Sequence, residues 1–151
     1  MHPRQTGGAK NELMSPEVYV LRLMPGMDLK KSIIRFLQEK NIRAGWVVSC
    51  VGSLTNYGLR FANREDGTSG QGYFEIMSLC GTLSVQGCHL HLSIADSTGK
   101  VTGGHLLDGC LIYTTAEIVI GCTGQMEFTR LVDGTTPWKE LQIKEIEDLE
   151  S

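Results

Sequence analysis

The sequence predicts an α+β fold: a largely antiparallel (mixed) β-sheet with one main helix packed on it. Three observations lead there. Only one segment shows clear helical periodicity, and it comes early. Strand-like segments fill the rest of the chain, and most are separated by turn residues at hairpin spacing. Strands alternating with helices, the mark of a doubly wound parallel sheet, are missing from this pattern.

The elements follow in order. Residues 1–14 are polar and glycine-containing, and they read as a flexible arm before a single domain over residues 15–146. Glu17-Val-Tyr-Val-Leu-Arg-Leu23 is rich in β-branched and aromatic residues and forms the first strand, which Pro25-Gly26 ends. Asp28 caps a helix running to about Lys40, in which Leu29, Ile33, Phe36 and Leu37 recur on one face. Lys30, Lys31, Arg35 and Lys40 occupy its other faces, and Asn41 stops it. The strand-like segments that follow are Ala44–Gly52, Tyr57–Ala62, Tyr73–Ser84, Cys88–Ala95, Lys100–Leu106, Leu111–Cys122, Met126–Val132 and Trp138–Ile146. Asp66-Gly67, Gly70-Gln71-Gly72, Ser97-Thr98-Gly99 and Asp133-Gly134 supply the turns. Residues 147–151 form an acidic tail.

Composition narrows the function classes. A chain of 151 residues makes one domain, and that size buries roughly 70% of its unfolded surface. With 41% hydrophobic and 21% charged residues the chain is neither disordered nor low-complexity. No stretch approaches the ~20 apolar residues of a membrane-spanning helix. Met-His-Pro-Arg-Gln-Thr-Gly-Gly has no apolar segment of the signal-peptide kind, so the expected location is intracellular, cytoplasmic rather than nuclear. Five cysteines without a C-x-x-C pair argue against a disulfide framework and a thiolate zinc cage, and read as small buried hydrophobes. Residues 1–64 hold ten Lys/Arg and four Asp/Glu, whereas residues 65–151 hold four and thirteen. A net charge of −3 is not the footprint of a basic nucleic-acid binder, and halves of opposite sign suit self-association or a mixed solvated surface. No glycine-rich loop joins a strand to a helix in the manner of a dinucleotide or P-loop site.

The chemistry concentrates in Gly87-Cys-His-Leu-His-Leu-Ser-Ile-Ala-Asp96 and the segment after it. Alternation on a strand puts Cys88, Leu90, Leu92 and Ile94 on one face and His89, His91 and Ser93 on the other. A loop of Ser97-Thr98-Gly99 places His91 opposite His105, and a register one pair tighter places His89 there. Either way three imidazoles meet on one sheet face, since opposed Cβ atoms lie about 5 Å apart. Three neutral imidazoles suit a divalent transition metal and leave a fourth position for water or a substrate. The plainer alternative is a set of half-exposed strand histidines. Gly103 and Gly104 leave room beside His105 for a close backbone or a ligand.

Other candidates are less specific. Arg60, inside an apolar strand, suits a carboxylate or phosphate, or else a structural partner. Glu75 is a possible acceptor for the N–H of a metal-bound histidine, or an arginine partner. Ser53 and Thr55, in Gly52-Ser-Leu-Thr55, offer hydroxyls for a ligand loop or for an ordinary turn. Asp96 sets the turn of the histidine hairpin.

The linked segments Gly72-Tyr-Phe-Glu-Ile-Met-Ser-Leu-Cys-Gly-Thr-Leu-Ser84, His89-Leu-His-Leu-Ser-Ile-Ala-Asp96 and Gly99-Lys-Val-Thr-Gly-Gly-His105 resemble the PPC domain family, also called PD1-like or domain of unknown function 296. Arg22-Leu-Met-Pro-Gly26 and Val51-Gly-Ser-Leu-Thr55 extend the resemblance, which covers roughly residues 16–146. It implies a homotrimer in which His89, His91 and His105 hold a metal, zinc in the first place, and the expectation that follows is a site that recognises or acts on a small ligand. It also implies an alternative, a DNA-associated or protein-interaction module, because plant relatives join the domain to AT-hooks. The Arg-Gly-Arg-Pro core of an AT-hook is missing from this chain.

Overall fold

A computed structural model describes residues 15–146. The expected arm and the acidic tail lie outside the described residues. The elements run β1 (Glu17–Leu23), α1 (Leu29–Lys40), β2 (Gly45–Arg60), β3 (Thr68–Leu83), β4 (His89–Ala95), β5 (Val101–Leu106), β6 (Ile112–Cys122), β7 (Met126–Leu131) and β8 (Glu140–Glu145). Six strands form one sheet in the order β1-β6-β2-β3-β4-β5, and β7 and β8 form a separate hairpin. All the strand pairs formed by these elements are antiparallel, so the sheet is not mixed. The last strand of the order returns to β2 through Leu59↔Leu106 and Arg60↔His105, closing β2, β3, β4 and β5 into a ring.

The helix is set by its ends and by one apolar face. Asp28 Oδ1 accepts from the Lys31 N–H at 3.0 Å, while Oδ2 accepts from the Gly109 N–H at 2.7 Å, so one carboxylate caps α1 and ties down the loop before β6. Asn41 ends the helix in the left-handed conformation, φ 50°. Leu29, Ile33 and Leu37 are buried against the sheet residues Leu54, Leu92, Ile94, Ile118 and Ile120, forming one core.

Four expectations need correction. Ala44–Gly52 and Tyr57–Ala62 are not two strands but parts of β2, which absorbs the intervening residues through register shifts at Val47/Ser49, Gly52/Leu54 and Leu54/Asn56. Leu54 is fully buried there, and an excursion into a solvent loop would expose it. Gly70-Gln71-Gly72 belongs to β3 rather than to a turn. The Tyr57 ring lies where a Gly70 side chain would project, 2.6 Å from an ideal Cβ, so that glycine serves packing. Trp138 precedes β8 instead of opening it. Of the cysteines only Cys110 and Cys122 are buried, and Cys80 is exposed.

The start of β4 depends on Gly81 in β3. Its φ is +145°, and an ideal Cβ there would stand 1.8 Å from the His89 carbonyl oxygen. Gly81→Ala is therefore expected to lower stability in urea unfolding by about 1–3 kcal/mol. Gly99→Ala, at φ +81° but in open space, should cost about 1 kcal/mol. Equal effects at the two positions would contradict the close approach of β3 and β4.

Candidate metal centre

Strand alternation and hairpin register assemble the site. Leu90, Leu92 and Ile94 are 3%, 2% and 0% exposed, and burying them turns His89 and His91 to the opposite face of β4. The hairpin adopts the wider of the two registers, with His91 opposite His105. Asp96 fixes that register: its Oδ1 accepts from the Thr98 N–H at 2.8 Å, the Thr98 hydroxyl at 2.6 Å and the Lys100 N–H at 3.0 Å. These bonds, the Thr98 hydroxyl first, hold its carboxyl below the usual range. Gly104 lets β5 approach β2, since an ideal Cβ there would lie 2.6 Å from the Arg60 carbonyl oxygen.

The three imidazoles converge. One nitrogen from each of His89, His91 and His105 lies within 4.8 Å of the others. The Nε2 atoms of His89 and His91 are 3.2 Å apart, close to the ~3.3 Å edge of a tetrahedron with arms of about 2.0 Å. Buried His105 Nδ1 has no hydrogen-bond partner among the described residues. Such an orphaned nitrogen is costly unless something binds it. The ring of His105 is pushed down to about 4, first by burial and then by the nearby Arg60 guanidinium. Burial also lowers His89, helped by Arg130. Both effects favour neutral imidazole, the form that donates a lone pair to a metal. The donor set therefore fits a divalent ion.

The surroundings are asymmetric. A cavity of about 900 Å³ opens beside the triad, walled by Arg60, Phe61, Arg64, Glu65 and Trp138. A smaller recess of about 320 Å³ adjoins His89 and His91, with Arg130 and Glu140 on its rim. Of the residues singled out from sequence, Arg60 stands with the histidines; Ser53, Thr55 and Glu75 do not line either space. The Ser53 hydroxyl is buried and hydrogen-bonds that of Thr114 at 2.9 Å, and Thr55 Oγ1 donates to Asn56 Oδ1 at 2.8 Å. Glu75 is opposite Ala95, four residues along β4 from His91, a distance of about 13 Å along the strand. Sequence reasoning overlooked Trp138, Arg130 and Glu140. Their placement depends on how hairpin β7–β8 folds back, and the single local signal was the Asp133-Gly134 turn.

Fold and site together define a class: an antiparallel β-domain with a single helix and a solvent-facing triad able to seat a divalent ion. Residues 11–123 match the model of the Plants and Prokaryotes Conserved (PCC) domain, and the chain belongs to that family. It is 45% identical over 132 residues to the bifunctional protein GlmU of Synechococcus sp. strain JA-3-3Ab, covering 87% of this chain and 21% of that protein. It is 30% identical over 116 residues to AT-hook motif nuclear-localized protein 13 of Arabidopsis thaliana, covering 68% of this chain and 26% of the relative. The chain thus spans about a fifth to a quarter of the length of these relatives. Among solved structures, a hypothetical protein of Salmonella cholerae-suis superposes with a TM-score of 0.86 at 40% identity, covering 89% of this chain and 97% of the other. A metal-containing protein of Archaeoglobus fulgidus gives 0.71 at 25% identity, with 87% and 99% coverage. No helix among the described residues is long and apolar enough to cross a membrane.

The depressed His105 sets a pH dependence for the metal-free protein. The unfolded chain takes up this proton near 6.5 and the folded chain only near about 4, so the unfolded state binds more protons across that window. Stability should fall as pH drops from about 6.5 to about 4 and the loss should level off below. His105→Gln should flatten that limb of a pH series of thermal unfolding curves; an unchanged slope would contradict the assignment.

Proposed function

We propose that this domain is a metal-dependent small-ligand site: His89, His91 and His105 hold a divalent ion, zinc in the first place, in a homotrimer. The convergence of three ligand nitrogens within 4.8 Å carries this reading. The orphaned His105 nitrogen and the metal content of the Archaeoglobus protein support it. Three imidazoles would leave a coordination position open, at which a bound zinc ion would supply Lewis acidity. The chain itself does the rest. Leu90 and Leu92, anchored in the core, aim the rings of His89 and His91. Desolvation lowers the pKa of His89 and His105 and so favours the unprotonated rings. Arg60 presents a cation beside them.

Trimer formation is supported by exposed apolar side chains on the six-stranded sheet. Val18, Val20, Val48, Val51, Tyr73 and Met77 are 56–74% exposed on β1, β2 and β3, and an apolar surface of this kind is usually covered by a partner. One preparation tests both parts. Protein purified without chelators or a polyhistidine tag should carry about one zinc per chain, and His91→Ala should weaken binding at least tenfold. The chain mass is 16.6 kDa, so sedimentation equilibrium should report three times that, about 50 kDa. Substoichiometric zinc under zinc-replete conditions would exclude the metal site, and a monomer mass would exclude the trimer.

Contact with DNA is the second reading, favoured by the AT-hook relative. Its surface would be Lys30, Lys31, Arg35 and Arg43. Two of these four already face carboxylates: Lys30 lies 3.6 Å from Asp108 and Arg43 lies 4.0 Å from Glu127. Four phosphate contacts would give a slope of about −3.6 in log K against log salt. Duplex binding with that slope would establish this reading, and no binding at low ionic strength would remove it.

A further inference from the structure

We propose that the cavity beside the triad is an oxyanion subsite, in which Arg60, stacked on Trp138, binds the carboxylate or phosphate of a small ligand whose other end reaches the histidines. The inference deepens the metal-site reading and rests on it for the ligand's second anchor. Its own evidence is separate.

The first part is an arginine with no ion-pair partner among the described residues. Arg60 ends β2 directly opposite His105 of β5, so backbone pairing sets its distance from the triad. It is half-buried at the cavity wall. The ion pairs among the described residues are Lys30–Asp108 and Arg43–Glu127, so no described carboxylate lies within 4.0 Å of Arg60. Glu65 shares the cavity, but so does Arg64, and the local balance remains positive. A guanidinium fork is well shaped for a carboxylate or a phosphate.

The second part is the aromatic ring that holds this cation. The Arg60 guanidinium carbon lies 5.2 Å from the centre of the Trp138 ring, within the range of an attractive cation–π contact. Trp138 is nevertheless 59% exposed, an unusual position for so large an apolar side chain unless it forms the wall of a site. Stacking leaves the edge of the guanidinium, with its N–H groups, free to donate. Trp138 comes from the connection between β7 and β8, beyond residues 11–123 that the family model matches. That connection therefore selects which anions fit above a triad supplied by the matched segment.

The structure also supplies the reporter. Full-length protein, metal-free and zinc-loaded, would be titrated with inorganic phosphate and with succinate at constant ionic strength, following tryptophan emission. A saturable change in the phosphate arm identifies a phosphate ligand, and one in the succinate arm a carboxylate. Arg60→Ala should weaken the effective anion at least tenfold, Arg60→Lys should weaken it less, and Trp138→Phe should abolish the signal. Saturation with neither anion, or equal affinity in wild type and both Arg60 variants, would overturn the subsite. Zinc content measured on the same samples separates the two ideas: zinc without Arg60-dependent anion binding sinks the subsite alone. Arg60-dependent binding in protein that takes up no zinc upholds the subsite and sinks the metal reading.

Discussion

Strand β5 is held on both edges, by β4 through His91↔His105 and by the end of β2 through Arg60↔His105. The rest of the site depends on that double pairing. A strand pinned on one edge can slip by a residue and turn every side chain to the wrong face. Pinned on two, with Asp96 fixing the turn, β5 has one register available. His105 then meets the β4 histidines, and Arg60 arrives beside it from a segment 45 residues away in sequence. Short, six-residue β5 accomplishes this because Gly104 allows the β2 backbone to come close.

This arrangement holds a tension in the metal-free protein. Three imidazoles crowd together near Arg60 and Arg130, and burial first, then the nearby guanidiniums, disfavours a proton on His89 and His105. Burial of Leu90, Leu92 and Ile94 on the other face of β4 offsets the cost, so the core supports a polar cluster that could not hold itself together. Desolvation of the His89 and His105 rings themselves favours their neutral forms, whose lone pairs are free to donate.

Where local chemistry decides structure, the sequence was readable. Asp28 and Asn41 bound the helix because a capping carboxylate and a left-handed asparagine act within one turn. The histidine face followed from alternation with Leu90 and Leu92, while two hairpin registers stayed open until the structure showed His91 opposite His105. Long-range packing was hidden. Gly70 reads as a turn glycine until the Tyr57 ring is seen over it, and Ser53 reads as a ligand-loop hydroxyl until Thr114 is seen to hold it. Arg130 reaches Thr82 across 48 positions, and no local pattern announces that.

Hairpin β7–β8 reaches the triad from outside the six-stranded sheet. Its polar attachments include the Phe128 N–H donating to the Arg43 carbonyl at 2.9 Å, Arg130 Nη2 donating to the Thr82 hydroxyl at 2.8 Å, and the Arg43–Glu127 ion pair at 4.0 Å. Phe128, whose N–H makes the bond to Arg43, is 9% exposed. The hairpin sends Arg130 and Glu140 to one side of the triad and Trp138 to the other. The backbone placement of the histidines is set by β4, β5 and the ring closure with β2 and does not depend on the hairpin, whereas, after burial, the hairpin's Arg130 still lowers the pKa of His89.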